Sequence, residues 1–247
     1  MIEKKDLFDL LIHDLTGPLS VVSASAAKLL EQADRVSPLT DHQKRVLERI
    51  LRNAQRARTL VHEMLEISHS EEGVFQKEPF RVEKALRESF LDVLEITAPN
   101  LVERLRQATS QEEFRTLLES LGVFIEIAGK YGQSFFNHDP KKIQQIMRNL
   151  ISNALKYRRE RVDVSISGDM DLHIQVKDDG MGIPPDDQEA IFGRFVRLHN
   201  GRQPDMPGFG LGLTGVKALV EAMAGEITLT SCEGRGTCFN VRIPPLG

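Results

Sequence analysis

Gly208-Phe209-Gly210-Leu211-Gly212-Leu213, read together with Asp178-Asp179-Gly180-Met181-Gly182-Ile183-Pro184 upstream of it, decides how the rest of this chain is read. Each is a glycine-rich turn that precedes an apolar run compatible with a helix. Glycine lets the backbone approach a ligand without a Cβ in the way and tolerates positive φ. A glycine turn feeding a helix also points unpaired N–H groups at its opening, where phosphate is the usual guest. One such loop is an ordinary turn or cap. Two of them, with polar residues upstream, raise the question of nucleotide binding.

The 247 residues suit one large or two small domains. With 40% hydrophobic and 28% charged residues, the chain reads as globular. A formal net charge of -4 speaks against a nucleic-acid partner held by bulk electrostatics. Cys232 and Cys238 form neither a metal clamp nor a disulfide framework, so a reducing, cytoplasmic setting is expected. No apolar run approaches the roughly 18 residues of a membrane span, and the N-terminus lacks the pattern of a signal peptide. A sensing function would then lie elsewhere, in a sensor domain or a sensor partner.

Leu7, Leu11, Leu15, Pro18, Val22, Ser25 and Leu29 recur at steps of four or three, one seam of a long helix. A break follows over residues 34–40, where Pro38 stops a helix and Thr40 or Asp41 can cap the next. A second seam runs through Val46, Ile50, Ala54, Ala57, Val61, Met64 and Ser68. Such a hairpin has little core of its own and gains most by pairing with a copy of itself, so a homodimeric four-helix bundle is expected. His13 lies two residues from Leu11 and from Leu15, turned about 200° off the seam. Its neighbours are Asp14, and then Thr16-Gly17-Pro18. A proline in mid-helix costs about 3 kcal/mol and points to a kink with a purpose.

His13-Asp14-Leu15-Thr16-Gly17-Pro18-Leu19 resembles the phosphoacceptor box of bacterial two-component sensor histidine kinases, whose usual form is His, Glu or Asp, Leu, Arg, Thr, Pro, Leu. In that family the histidine is phosphorylated on a dimerisation bundle.

The rest of the chain reads as a second module, with a linker at about residues 71–80. Helices are expected over residues 81–97, 101–121, 141–157, 188–198 and 211–224. Residues 122–127 read as a strand partnered by 133–138, 162–166 with 172–176 as a hairpin, and 226–231 with 237–243 as a closing pair. Asp139-Pro140 reads as an N-cap followed by proline at the first helical position. The expected class is α+β: the hairpin, then an α/β sandwich with helices on a mixed sheet. The domain division is 1–72 for dimerisation and phosphoacceptance and 73–247 for catalysis.

Asn149, Asn153, Lys156 and Tyr157 share one helix face. Asparagine is a poor mid-helix residue, and an amide oxygen suits a hard Mg²⁺ that is also held by nucleotide phosphates. An asparagine-tolerant surface face would look the same. The stretch Asn149 to Tyr157 is similar to the asparagine box of the histidine-kinase catalytic domain, part of a wider ATPase group that includes gyrase. Residues 178–184 resemble its first glycine box, 191–197 its phenylalanine box, 208–213 its second glycine box, and 233–239 its closing turn and strand. Five boxes stand in order with suitable spacing, and with the phosphoacceptor box the resemblance covers nearly the whole chain.

The resemblance implies ATP and Mg²⁺ as cofactors. Asn153 would coordinate the metal, Asn149 and Lys156 would contact phosphates, and Tyr157 would lie against the adenine. Asp178 would accept the adenine exocyclic N–H, with Gly180 and Gly182 letting the backbone close over the base. Gly208, Gly210 and Gly212 would let the end of a lid, residues 198–209, approach the phosphates. Arg197 would reach the γ-phosphate. His13 would attack it, with Asp14 fixing the tautomer of the ring. The phosphoryl group would pass to an aspartate of a response-regulator receiver domain.

Three positions depart from the family pattern. Gly17 stands where Thr or Asn helps position water for dephosphorylating the partner, so a weak phosphatase and a kinase-biased protein are expected. Asp179 replaces a common Asn and Gly193 a common Glu. The helix near residues 100–121 exceeds the family pattern. Two other classes stay open: a non-catalytic phosphotransfer or scaffold protein with a degenerate ATP domain, and an ATPase of the gyrase type or an anti-sigma serine kinase. The remaining histidines, His42, His62, His69, His138, His173 and His199, read as surface residues.

Overall fold

The computed structural model describes residues 4–32, 39–70, 75–193 and 212–247. Two long helices open the chain, α1 (Lys4–Gln32) and α2 (Asp41–Ser70). The start of α2 is set by a reciprocal box. Thr40 Oγ1 accepts the Gln43 N–H at 3.3 Å, and Gln43 Oε1 accepts the Thr40 N–H at 2.9 Å. The helices pack on one another, burying Ala26, Ala54 and Val61. On α1 the inward line is Leu19, Ser23, Ala26 and Leu30. The seam read from the sequence is the other stripe. Leu15, Val22 and Leu29 are 52%, 43% and 51% exposed in the single chain. Helix α1 is apolar on two sides, and α2 covers only one.

The second module begins with β1 (Glu78–Phe80), α3 (Val82–Thr97), α4 (Pro99–Gln107), α5 (Gln111–Glu119), β2 (Val123–Ile127) and β3 (Phe136–His138). It continues with α6 (Pro140–Tyr157), β4 (Val162–Ser167), β5 (Leu172–Asp178), α7 (Gly212–Ala222), β6 (Glu226–Cys232) and β7 (Gly236–Ile243). Five strands form one sheet in the order β2-β4-β5-β7-β6. The β2–β4 pair is parallel and the others antiparallel, so the sheet is mixed as expected. Strand β5 alternates strictly between buried and exposed, which marks one face packed and the other open. Helix α6 lies on the packed face, flanked by α3 and α7. Its Ile143, Ile146, Met147, Leu150 and Ile151 are fully buried.

Several expectations are corrected. Residues 101–121 form two helices. Ser110 Oγ accepts the Glu113 N–H at 3.1 Å while Glu113 Oε2 accepts the Thr109 N–H at 2.9 Å. This capping box ends one helix and starts another, and its Ser-x-x-Glu signal stands in the sequence. Arg87 ties the pair to α3, donating to the Leu105 and Ala108 carbonyls at 2.6 and 3.0 Å. Residues 133–138 do not pair with 122–127. Strand β3 pairs with β1, while β2 takes β4 across the α6 crossover. Gly129, at φ 72°, turns the chain between them. Within residues 188–198 the described part is a short 3₁₀ turn, Ala190–Phe192, ended by extended backbone at Gly193. The linker assigned to residues 71–80 contains β1. His138, expected at the surface, is fully buried.

Candidate nucleotide site

Asp139 begins α6, accepting the N–H groups of Lys141 and Lys142 at 3.0 and 3.2 Å. Pro140 follows at the first helical position, as the sequence predicts. With the apolar stripe in the core, Asn149, Asn153 and Lys156 come to the half-buried border of the helix and Tyr157 to the surface. The Lys156 ammonium lies 4.7 Å from the centre of the Tyr157 ring.

The two glycine regions meet this helix at different heights. Gly180 sits against its C-terminal end, where a Cβ would fall 2.1 Å from the Tyr157 carbonyl oxygen and 2.7 Å from Asp178 Oδ1. Gly212, the first residue of α7, sits beside Asn149, with a Cβ reaching 3.3 Å from its Oδ1. From Asn149 to Tyr157 the rise is about 12 Å. Asp178, Gly180 and Tyr157 therefore gather at one end, and Asn149 and Gly212 at the other. Asn153 and Lys156 lie on the face between.

Asp178 ends β5 and is 6% exposed. Its Oδ1 accepts the Gly180 N–H at 2.8 Å. Burial pushes its carboxyl above the usual carboxylate range, and backbone donation from Gly180 and Thr237 offsets this in part. Gly182, at φ 70°, would drive a Cβ to 2.0 Å from the Cys232 carbonyl. No other residue type fits there without moving the loop.

Four residues that sequence reading left aside hold these loops. Asp179 Oδ1 accepts the N–H groups of Arg159, Glu160 and Arg161 at 2.9, 3.1 and 3.0 Å. Burial by itself would raise its carboxyl, but those three donors, with its own N–H, outweigh it and hold it below the ordinary value. Ser231 Oγ accepts the Ile183 N–H at 2.8 Å, and Gln188 Nε2 donates to the Ile183 and Ser231 carbonyls at 2.9 and 3.1 Å. Thr214 Oγ1 donates to the Gly193 carbonyl at 2.8 Å, tying the phenylalanine-box turn to α7. Phe192 packs edge-on to Phe239. Only Asp179 carried a sequence signal, an extra carboxylate beside a glycine turn.

Arg197, Gly208 and Gly210 lie outside the described residues, as does the lid segment up to residue 209. His13 and Asp14 fall within α1, and their side chains lie outside the described part. No cluster of three or more His, Cys, Asp or Glu able to hold a metal occurs among the described residues. No described helix is long and apolar enough to cross a membrane.

Residues 138–247 match the family described as histidine kinase-, DNA gyrase B- and HSP90-like ATPase, and residues 3–73 match the His Kinase A (phospho-acceptor) domain. The chain belongs to the two-component sensor histidine kinases. Its similarity to the sensor histidine kinase WalK of Bacillus subtilis is 30% identity over 249 residues, 98% of this chain and 37% of WalK. The circadian input-output histidine kinase CikA of Synechococcus elongatus is 29% identical over 94% of this chain and 29% of its own length. The adaptive-response sensory kinase SasA of Crocosphaera subtropica is 28% identical over 98% of this chain and 59% of its own. The chain thus spans between about three tenths and three fifths of the length of these relatives. Full-length ShkA, solved in complex with AMPPNP, superposes with a TM-score of 0.68 at 24% identity, over 97% of this chain and 46% of that one. AdeS of Acinetobacter baumannii gives 0.54 at 19% identity, over 95% and 98%. Both share its fold.

Proposed function

We propose that this chain is the autophosphorylating core of a two-component kinase, with residues 1–72 as dimerisation and phosphoacceptor domain and 73–247 as the catalytic ATP-binding domain. The observation that carries the reading is the pair of polar, glycine-lined ends on one face of α6, about 12 Å apart. That span suits a nucleotide laid along the helix. Asp178, with Gly180 and Gly182, takes the adenine exocyclic N–H, and Tyr157 lies against the base. Asn149 and Lys156 meet the phosphates, and Gly212 leaves them room. Asn153 offers Mg²⁺ one hard amide oxygen. A metal held mostly by phosphates and water needs no carboxylate cage, so the residues fit it. Bound Mg·ATP supplies the transferable γ-phosphoryl group. Arg197, Gly208 and Gly210 keep the roles implied by the family: the arginine at the γ-phosphate, the glycines at the closing lid.

A neutral ring nitrogen of His13 attacks the γ-phosphorus in line as its bond to the bridging oxygen breaks and ADP leaves, while Asp14 accepts a hydrogen bond from the N–H of the other ring nitrogen and stabilises the charge that develops. The phosphoryl group then moves to an aspartate of a response-regulator receiver domain. The exposed Leu15, Val22 and Leu29 stripe supports a homodimer joined through α1. Gly17 presents no side chain, and a Cβ there would meet nothing within 4 Å. The reading is therefore kinase-biased, with weak phosphatase. Free thiols at Cys232 and Cys238 suit a cytoplasmic setting. Input comes from a sensor domain or a sensor partner.

The test is incubation with γ-labelled ATP and Mg²⁺. Acid-labile, alkali-stable label on the wild type, lost in His13→Gln and Asn153→Ala, is expected. Label that survives His13→Gln rejects the assigned acceptor.

A further inference from the structure

Asp139 does more than cap α6. Its carboxylate is 6% exposed, and its two oxygens serve different parts of the chain. Oδ1 takes the Lys141 and Lys142 amides of α6, while Oδ2 accepts the backbone N–H of Gln76 at 3.0 Å. Gln76 lies 63 residues earlier, where the chain enters the second module. The residue before it joins the same contact. The Phe75 ring meets His138 edge-on, with centroids 5.5 Å apart. His138 stacks on Phe136, and its Nδ1 accepts the Asp139 N–H at 2.8 Å. The entering segment is thus held through a main-chain amide to the cap of the helix that bears Asn149, Asn153, Lys156 and Tyr157. Main-chain anchoring matters here, because it fixes the path of the chain whatever side chain stands at residue 76.

We propose that Asp139 is a positioning residue that couples the inter-module segment to the nucleotide helix, so that displacement of that segment is transmitted to α6 through its own cap. The proposal rests on the kinase reading above. Two substitutions separate the functions of the carboxylate. Asp139→Asn keeps a carbonyl oxygen for the cap, at which Asn serves as well as Asp, but its NH₂ group cannot accept the Gln76 N–H. Gln76→Pro removes that N–H and leaves Asp139 untouched.

Exchange of the Gln76 amide, followed by NMR in the whole chain, is expected to be at least tenfold faster in Asp139→Asn. The amides of Lys141 and Lys142 should stay within about twofold of wild type, because their acceptor remains. Both variants should lose about threefold or more in autophosphorylation kcat while the calorimetric Kd for Mg·ATP stays within twofold. The double variant should be no worse than either single one, since both remove the same bond. Unchanged Gln76 exchange in Asp139→Asn overturns the proposal, as do unchanged kcat values or additive losses. Absence of label on the wild type would instead reject the kinase reading, and Gln76 exchange would still report on the clamp.

Discussion

Replacing Asp179 by alanine and by asparagine gives two different outcomes, because three N–H groups converge on its Oδ1, and only that of Glu160 also reaches Oδ2, at 3.2 Å. Alanine removes the acceptor for all three. Arg159 and Glu160 are exposed, so water can replace part of what is lost. At about 1 kcal/mol net per bond, the cost is roughly 2–4 kcal/mol. A module of this size loses about 2–4 °C in Tm per kcal/mol, so a fall of roughly 4–16 °C is expected. Asparagine keeps an oxygen at the Oδ1 position and loses the charge assistance and the second, longer Glu160 contact at Oδ2. It should cost about 1 kcal/mol, or roughly 2–4 °C. The pH dependence has a definite sign. The folded carboxyl lies below its ordinary 3.8, so its contribution is present above that value and lost as pH falls through the lower folded one. The gap between wild type and Asp179→Ala should therefore close only in strong acid. Thermal and urea unfolding of the three proteins measures all of this. Equal destabilisation by Ala and Asn, or an Ala variant within about 0.5 kcal/mol of wild type, would refute the cradle at Oδ1.

Gly180→Ala forces a Cβ onto the Tyr157 carbonyl oxygen, backbone against backbone, and should cost about 1–3 kcal/mol together with most of the ATP affinity; wild-type affinity by calorimetry would count against the loop geometry. Gly17→Ala meets open space in mid-helix and should stabilise the hairpin by about 0.5–1 kcal/mol in urea unfolding. Burial holds the His138 imidazole below its ordinary 6.5, so the unfolded chain takes up the proton first. Stability should be unaffected above that value and fall as pH drops below it, by up to about 1.4 kcal/mol per unit. Flattening of that slope in His138→Phe is the expected check, and an unchanged slope would assign the acid loss to other groups.

Much of the candidate site's placement was legible because its spacing is local. The asparagine face follows from helical spacing alone, and Asp139-Pro140 announces the start of that helix. The hairpin β4–β5, the closing pair β6–β7 and the mixed sheet were readable from alternation and turns. The misreadings came where a short signal was overlooked or where pairing is non-local. Ser110 and Glu113 wrote a helix boundary into residues read as one helix. Strand β3 looks as good a partner for β2 as for β1, and strand periodicity does not choose between them.

By itself, then, the sequence determined the module order, the helix that bears the polar face, and the glycines that must stand where backbone passes close to backbone. Those properties depend on spacing and on the presence or absence of a Cβ. Tertiary structure alone decided which carbonyl each glycine faces, that Asp179 and Ser231 hold the loops, that His138 is interior, and which stripe of α1 is left uncovered. Each of these depends on which residues distant in the chain meet. Asp139 shows both sides: its role as a cap is written in the residues that follow it, and its hold on Gln76 exists only once the fold closes.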